Sequence, residues 1–259
     1  LILVKLGGSV ITDKRRIRTF RKQNCLRLCR ELRGAAGELF LIHGAGSFGH
    51  IMAARYDLQN GVGDDEAERL RKFSQVHMDV RKLNSKVMAC MRDNRLTPFS
   101  LPPFSFATFS SGKIREFRPE VIGQLVDIGM TPVSFGDIVP DDANNFAICS
   151  GDLVMAEAAR QFRPSKVIFV ADVDGVYDYD PKMNKNARLL GEISPEVLDD
   201  IMAEGSGARD VTGSMRGKIE RMIEISRHCD SCIVLNGNSP GRLAKAIKGT
   251  KVVSTKVIH

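Results

Sequence analysis

Two glycine-rich turns, each following a short apolar run, are the parts of this 259-residue chain best suited to chemistry. Leu1-Ile2-Leu3-Val4-Lys5-Leu6 leads into Gly7-Gly8-Ser9, and Leu39-Phe40-Leu41-Ile42-His43 leads into Gly44-Ala45-Gly46-Ser47-Phe48-Gly49-His50. Without a Cβ, such turns let backbone N–H groups close on an anion, and a following helix adds its first N–H groups to the same site. One turn carries Lys5 and the other His50, so two phosphate-bearing ligands held side by side are the natural occupants. That is the arrangement phosphoryl transfer needs.

Lys5 alternates with Leu3 along an apolar strand, where a lysine must reach a counter-charge or water. It either aims at a phosphoryl group beside the glycine turn or marks a sheet edge that discourages pairing. The first turn lacks the G-x-x-x-x-G-K-[ST] spacing of a P-loop. The second matches G-x-G-x-x-G, but Asp64 and Asp65 sit in a glycine-flanked polar loop rather than at the end of a second strand, so a dinucleotide site fails its context. His50 either donates to a bound phosphate, whose charge would raise its pKa, or caps local backbone.

The second half offers a buried strand ending in carboxylates, Phe169-Val170-Ala171-Asp172-Val173-Asp174-Gly175-Val176-Tyr177, followed by Asp178-Tyr179-Asp180-Pro181-Lys182. Ligands of open α/β sheets gather at such strand ends, so a nucleotide belongs here; the aspartates could instead cap a turn. Asp210-Val211-Thr212-Gly213-Ser214-Met215-Arg216-Gly217-Lys218 enters a helix and forms a third potential phosphate cradle. Ser150-Gly151-Asp152 opens another helix with a capping serine and a first-turn carboxylate.

The elements that must position these groups alternate between short strand-like runs and longer helical ones, an α/β pattern. Strands are expected at 1–6, 39–43, 97–101, 131–134, 167–171, 232–235 and 251–254. Helices are expected near 19–34, 66–93, 118–128, 151–161, 195–203, 215–229 and 240–247. Hairpins are expected over 105–117 and 138–149, and a soft boundary near residue 150 divides lobes 1–150 and 151–259. Leu70, Phe73, Val76, Val80, Leu83 and Val87 form a stripe on the longest helix, a core face that could also meet a ligand.

The net charge of +7 is spread along the chain; its densest run, Arg15, Arg16, Arg18 and Arg21, is no basic stripe, which disfavours nucleic-acid binding and suits anionic substrates. No apolar stretch approaches a membrane span, and the first residues read as a core strand rather than a signal peptide. Among the six cysteines, Cys25 and Cys29 fit a buried helix face, and with Cys229 and Cys232 they lack the paired spacing of a zinc site. Reduced, cytoplasmic thiols are expected.

Taken together, VKLGGSVITDK (4–14), IHGAGSFGH (42–50), SFGDIV (134–139), SGD (150–152), ADVDGVYDYDPK (171–182) and DVTGSMRGK (210–218) resemble the amino acid kinase superfamily and, within it, the archaeal-type isopentenyl phosphate kinases. The resemblance implies a three-layer sandwich with a mostly parallel central sheet and two lobes. It implies ATP with Mg²⁺, transfer to isopentenyl phosphate in a mevalonate-type route to isoprenoids, and a homodimer. Lys5, Lys14, His50, Asp152 and Lys218 take the catalytic places. Lys5, Leu6, Gly7, Gly8, Ser9, Gly46, Asp172, Tyr177, Asp178, Tyr179, Asp180, Pro181, Lys182, Gly213, Gly217 and Lys218 take the ATP-binding ones. Ala45, Gly49, His50 and Gly151 take the acceptor phosphate, and no residue is assigned as a metal ligand. Ser214 departs from the second glycine many relatives carry. A phosphonate, a nucleoside monophosphate or an acyl carboxylate is the alternative acceptor, and a non-catalytic ATP sensor the alternative class.

Overall fold

The computed structural model describes residues 1–56, 66–181, 183–203 and 213–259; Asp64, Asp65, Lys182 and the stretch Asp210-Val211-Thr212 lie outside them. In chain order, the first half runs β1 (Ile2–Leu6), α1 (Gly8–Ile11), α2 (Lys22–Leu32), β2 (Leu39–His43), α3 (Gly46–Arg55), α4 (Glu66–Asp93) and β3 (Pro98–Ser100). It continues through β4 (Ala107–Ser110), β5 (Lys113–Phe117), α5 (Pro119–Asp127), β6 (Thr131–Phe135), β7 (Asp137–Asp141) and β8 (Asn145–Cys149). The second half runs α6 (Gly151–Phe162), β9 (Lys166–Ala171), β10 (Glu192–Ile193), α7 (Pro195–Ala203), α8 (Gly213–Ser226), β11 (Cys232–Asn236), α9 (Arg242–Ile247) and β12 (Ser254–Val257).

Eight strands form one sheet in the order β10-β12-β11-β9-β1-β2-β6-β3. Every pairing in it is parallel except β11 with β12. Parallel strands are covered on both faces, which is why the β2 run Leu-Phe-Leu-Ile-His is buried at every position. Alternation along β1 divides the core. Ile2, Val4 and Leu6 face a cluster with Leu28 and Leu32 of α2, Val87 of α4 and Leu243 of α9. Leu3 faces the other cluster, with Ile122 of α5, Met155 and Ala158 of α6 and Ile223 of α8. Helix, sheet and helix make three layers. β1 lies between β2 and β9, so Lys5 is on a central strand and cannot be an edge lysine.

Some expectations from sequence need correction. The last strand spans Ser254–Val257 rather than 251–254: Thr255 is fully buried, and its hydroxyl donates to the Leu190 carbonyl at 2.7 Å and accepts from the Val176 amide at 2.8 Å. Val253, by contrast, is exposed. Leu70 is 43% exposed and does not belong to the buried stripe, whereas Phe73, Val76, Val80, Leu83 and Val87 do. Helix α3 had no expected counterpart because its glycines and serine are weak helix formers; its buried residues Phe48 and Met52 hold it through packing. Among the described residues no helix is long and apolar enough to cross a membrane.

Candidate active site

The two glycine turns touch. A Cβ at Gly8 would lie 2.5 Å from the Gly46 Cα and 2.6 Å from its nitrogen, so the backbones occupy the space a side chain would need. Gly46 itself has φ +50°, the left-handed region that favours glycine, and faces the Thr12 hydroxyl. Thr12 knits the turns together, donating from Oγ1 to the Gly8 carbonyl at 2.6 Å and accepting from the Ser47 amide at 3.0 Å. The first turn is tied to β9 as well: the Gly7 amide donates to the Val170 carbonyl at 2.8 Å, and the Ser9 hydroxyl to Asp172 Oδ1 at 2.8 Å.

Lys5 leaves the central strand toward α6 and pairs with Asp152, both side chains being largely buried. Ser150 caps α6 by accepting from the Leu153 amide at 3.2 Å, which sets Asp152 in the first helical turn. A side chain at Gly151 would press on the Lys5 stem, 3.4 Å from Cε. The pair therefore sits where α6 begins, against the ends of β1 and β2. A lysine held by one buried carboxylate is oriented, and it keeps its remaining protons for an anion.

His50 stands one turn into α3. It is exposed at the helix surface, yet enough protein surrounds its ring for burial to be the first cause lowering its pKa; the charges of Lys218, Lys14 and Lys5 lower it further, and Asp152 opposes them. Three lysines from β1, the loop after α1 and α8 thus act on the His50 ring of α3 beside the paired turns. They repel its proton when the site holds no anion, which is the electrostatic mark of a polyanion site.

Beside His50 lies a third apolar cluster of Met52, Phe73, Val76, Val80, Phe135 and Ile138, with Phe146 stacked on Phe73 at 4.9 Å between ring centres. Val80 adjoins Gly49, where an added Cβ would meet its Cγ2 at 3.2 Å. The second glycine turn and this apolar cluster are therefore neighbours. A separate cavity of about 490 Å³, lined by Lys166, Ile168, Ile233 and Lys256 among others, opens at the N-terminal ends of β9 and β11, the far end of the strands from the turns.

The family model described as the amino acid kinase family matches residues 1–236. The chain belongs to that family. Among curated relatives, isopentenyl phosphate kinase of Methanothermobacter thermautotrophicus is 33% identical, covering 99% of this chain and 98% of its own length. The same-named protein of Thermoplasma acidophilum is 34% identical over 94% of both chains. A solved structure of isopentenyl phosphate kinase superposes with a TM-score of 0.86 at 30% identity, covering 99% of each chain. The three-layer, mostly parallel architecture is that of an amino acid kinase.

In this amino acid kinase the residues expected from sequence to hold the nucleotide are arranged by hydrogen bonding. Asp172 ends near the first turn through Ser9. Asp174 points elsewhere: Arg242 at 2.5 Å and Asn236 at 3.1 Å hold it, and although burial raises its pKa, these donors bring it below the usual carboxylate value. Tyr177 donates to Asp174 at 3.5 Å. Asp178 accepts from the Arg188 amide at 2.7 Å and its Nε at 3.0 Å, folding the loop back on itself. Tyr179, Asp180 and Pro181 follow in that loop. Gly213 starts α8, and Gly217 and Lys218 lie on its exposed face; Gly217 has open space around it.

Sequence reasoning gave no role to Thr12, Ser47, Asp79, Arg188 or Arg242, and placed Arg18 only in the basic run 15–21. Thr12 and Ser47 lie inside the quoted motifs, so their polar character was the available signal. Asp79 interrupts the apolar face of α4 between Val76 and Val80, which also marks it. Arg188 and Arg242 carry no local signature.

Proposed function

We propose that this amino acid kinase transfers the γ-phosphoryl group of ATP to the phosphate of isopentenyl phosphate, giving ADP and isopentenyl diphosphate. The observation that carries the proposal is the contact of the Gly8 and Gly46 backbones beside His50 and three lysines whose charges reach it, with an apolar cluster on the His50 side. The names and near-complete coverage of the archaeal relatives support the same substrate.

The nucleophile is a phosphate oxygen, already anionic at neutral pH, so no general base is required. The obstacle is repulsion. Two unit charges at 4 Å repel by roughly 4 kcal/mol at an effective dielectric of about 20, and both reactants carry more than one. Lys5 and the amides of the first turn receive the β- and γ-phosphates; Ala45, Gly49, His50 and Gly151 receive the acceptor phosphate; Lys14 and Lys218 close on the transferring group. Asp152 orients Lys5. The loop of Asp172 and Tyr177 to Lys182, with Gly213 and Gly217, holds the rest of the nucleotide. Phe73, Val76, Val80 and Phe146 take the five-carbon tail.

Mg²⁺ fits as a partner of the nucleotide rather than of the protein. The described residues hold no group of three His, Cys, Asp or Glu able to cage a metal, and Asp152 is engaged by Lys5. Such an ion neutralises phosphate charge when bound, and Mg²⁺ is commonly carried on phosphates and water. A cytoplasmic homodimer, with residues 1–150 holding the acceptor and 151–259 the nucleotide, completes the proposal.

ADP release measured with isopentenyl phosphate, fosfomycin, UMP and N-acetylglutamate tests it. Turnover on isopentenyl phosphate well above the other acceptors is expected. Preference for another acceptor, or ATP binding without turnover, contradicts it.

A further inference from the structure

Lys14 sits in a loop braced in part from within, where Asp13 accepts the Arg15 amide on Oδ1 at 3.0 Å and the Arg16 amide on its carbonyl at 3.3 Å. Residues 13–19 project between Thr12 and Phe20, which close the base as an isolated antiparallel bridge, with the Asp13 amide donating to the Thr19 carbonyl at 3.0 Å. Lys14, Arg15, Arg16, Ile17 and Arg18 are exposed. Arg18 adopts φ +54°, a conformation disfavoured for a residue with a Cβ, so something outside the loop must impose it.

Two contacts do so. Ser47, in the second glycine turn, accepts the Arg18 amide on its carbonyl at 3.1 Å and the Thr19 amide on its hydroxyl at 3.2 Å. Asp79, on α4, takes the Arg18 side chain: Nε donates to Oδ2 at 2.7 Å, and Nη2 lies 2.6 Å from the same oxygen. The Asp79 carboxylate is fully buried, and Lys82 of the same helix reaches its other oxygen only at 3.4 Å. A carboxylate without access to water demands charged partners, so moving the loop off α4 would leave it only the longer contact to Lys82. On either side of Asp79, Val76 and Val80 belong to the apolar cluster near His50.

We infer that the Asp79–Arg18 ion pair is a strut that sets Lys14 over the transferring phosphoryl group and fixes it relative to the helix covering the acceptor. The inference rests on the function proposed above. Asp79 and Arg18 touch neither substrate; they are positioning residues. Their effect belongs to kcat, because misplacing a cation that acts on the transition state leaves substrate binding largely intact. It also passes through Lys14, so it vanishes when Lys14 has no charge.

Steady-state kinetics of Asp79→Asn, Lys14→Ala and the double variant, with ATP and isopentenyl phosphate, test this. Asp79→Asn is expected to lower kcat by about 10- to 100-fold while both KM values stay within about threefold. The double variant should be no slower than Lys14→Ala alone, and Arg18→Lys should keep part of the rate that Arg18→Gln loses. If Asp79→Asn does not fold, Arg18→Gln replaces it in the same cycle, since it removes the exposed partner. A kcat within about twofold of wild type, or losses that multiply in the double variant, overturns the strut. Wild-type chain inactive on isopentenyl phosphate instead breaks the functional proposal, and the strut with it.

Discussion

The two sides of the candidate active site are built by different means. At the glycine turns, backbone meets backbone: Gly8 on Gly46, and the Gly7 amide on the Val170 carbonyl. On the nucleotide side, side chains hold side chains: Arg242 and Asn236 on Asp174, Arg188 on Asp178, with Arg188 and Lys218 exposed. The contrast fits the work each does. Transfer between two anions needs cations and amides fixed to fractions of an ångström, and close-packed backbone gives little room to shift. In the proposed function nucleotide capture needs affinity more than placement, which polar side-chain contacts at a strand end would suit.

Variants at the turns should therefore be the costly ones. Lys5→Ala is expected to lower kcat on the order of 10²–10³ with a smaller change in the ATP KM, as for removal of one preorganised charge from a transition state. A loss confined to ATP affinity would move Lys5 to the binding side of the comparison. Gly8→Ala forces a methyl into backbone, and an overpacking cost of roughly 1–3 kcal/mol together with loss of turnover is expected by thermal unfolding and kinetics. Gly123→Ala, on α5 with open space around it, is the control: a gain of about 0.5–1 kcal/mol in stability and unchanged turnover are expected.

His50→Asn is next. Burial and the charges of Lys218, Lys14 and Lys5 hold His50 below its ordinary pKa, and a bound phosphate would reverse that. Acceptor binding then takes up a proton. Affinity falls by up to about tenfold per pH unit as pH rises between the free and the bound pKa of the ring. The acceptor phosphate titrates too, so the difference between wild type and His50→Asn isolates the imidazole. About a tenfold higher acceptor KM at pH 6 to 7, with the difference shrinking as pH rises, is the expected result for loss of a charge-assisted hydrogen bond. A pH-independent difference would mean the ring acts as a neutral donor. The same lowered pKa makes the unliganded fold less stable as pH falls below about 6.5, where the unfolded chain binds the proton that the folded one refuses.

The smallest effect belongs to the nucleotide side. Asp178→Asn leaves the Arg188 amide bond in place and weakens a solvent-facing ion pair, so about 0.2–1 kcal/mol in stability and a few-fold rise in the ATP KM are expected.

What could be read from sequence follows the same division. A glycine turn after an apolar run announces itself locally, so β1, β2, Lys5 and His50 stood out, and the strict three-and-four spacing of α4 gave its full span from Glu66 to Asp93. Helix α3 did not, because Gly46, Ser47 and Gly49 disguise a helix that packing makes. Long-range ion pairs were invisible: Arg18 and Asp79 are 61 residues apart, and Arg242 and Asp174 are 68. No window of sequence contains both partners. The same holds for β12, whose place is set by long-range pairing with β11 and β10 and by the Thr255 hydroxyl reaching Leu190.

The central claim is that the paired turns bring donor and acceptor phosphates face to face between Lys5 and His50. A crystal structure with a non-hydrolysable ATP analogue and isopentenyl phosphate tests it most directly. The account predicts the γ-phosphate on the Gly8 and Ser9 amides and Lys5. It places the acceptor phosphate on Ala45, Gly49 and His50, with its attacking oxygen about 3–3.5 Å from the γ-phosphorus. An acceptor bound away from the second turn, with His50 turned out to solvent, would contradict it.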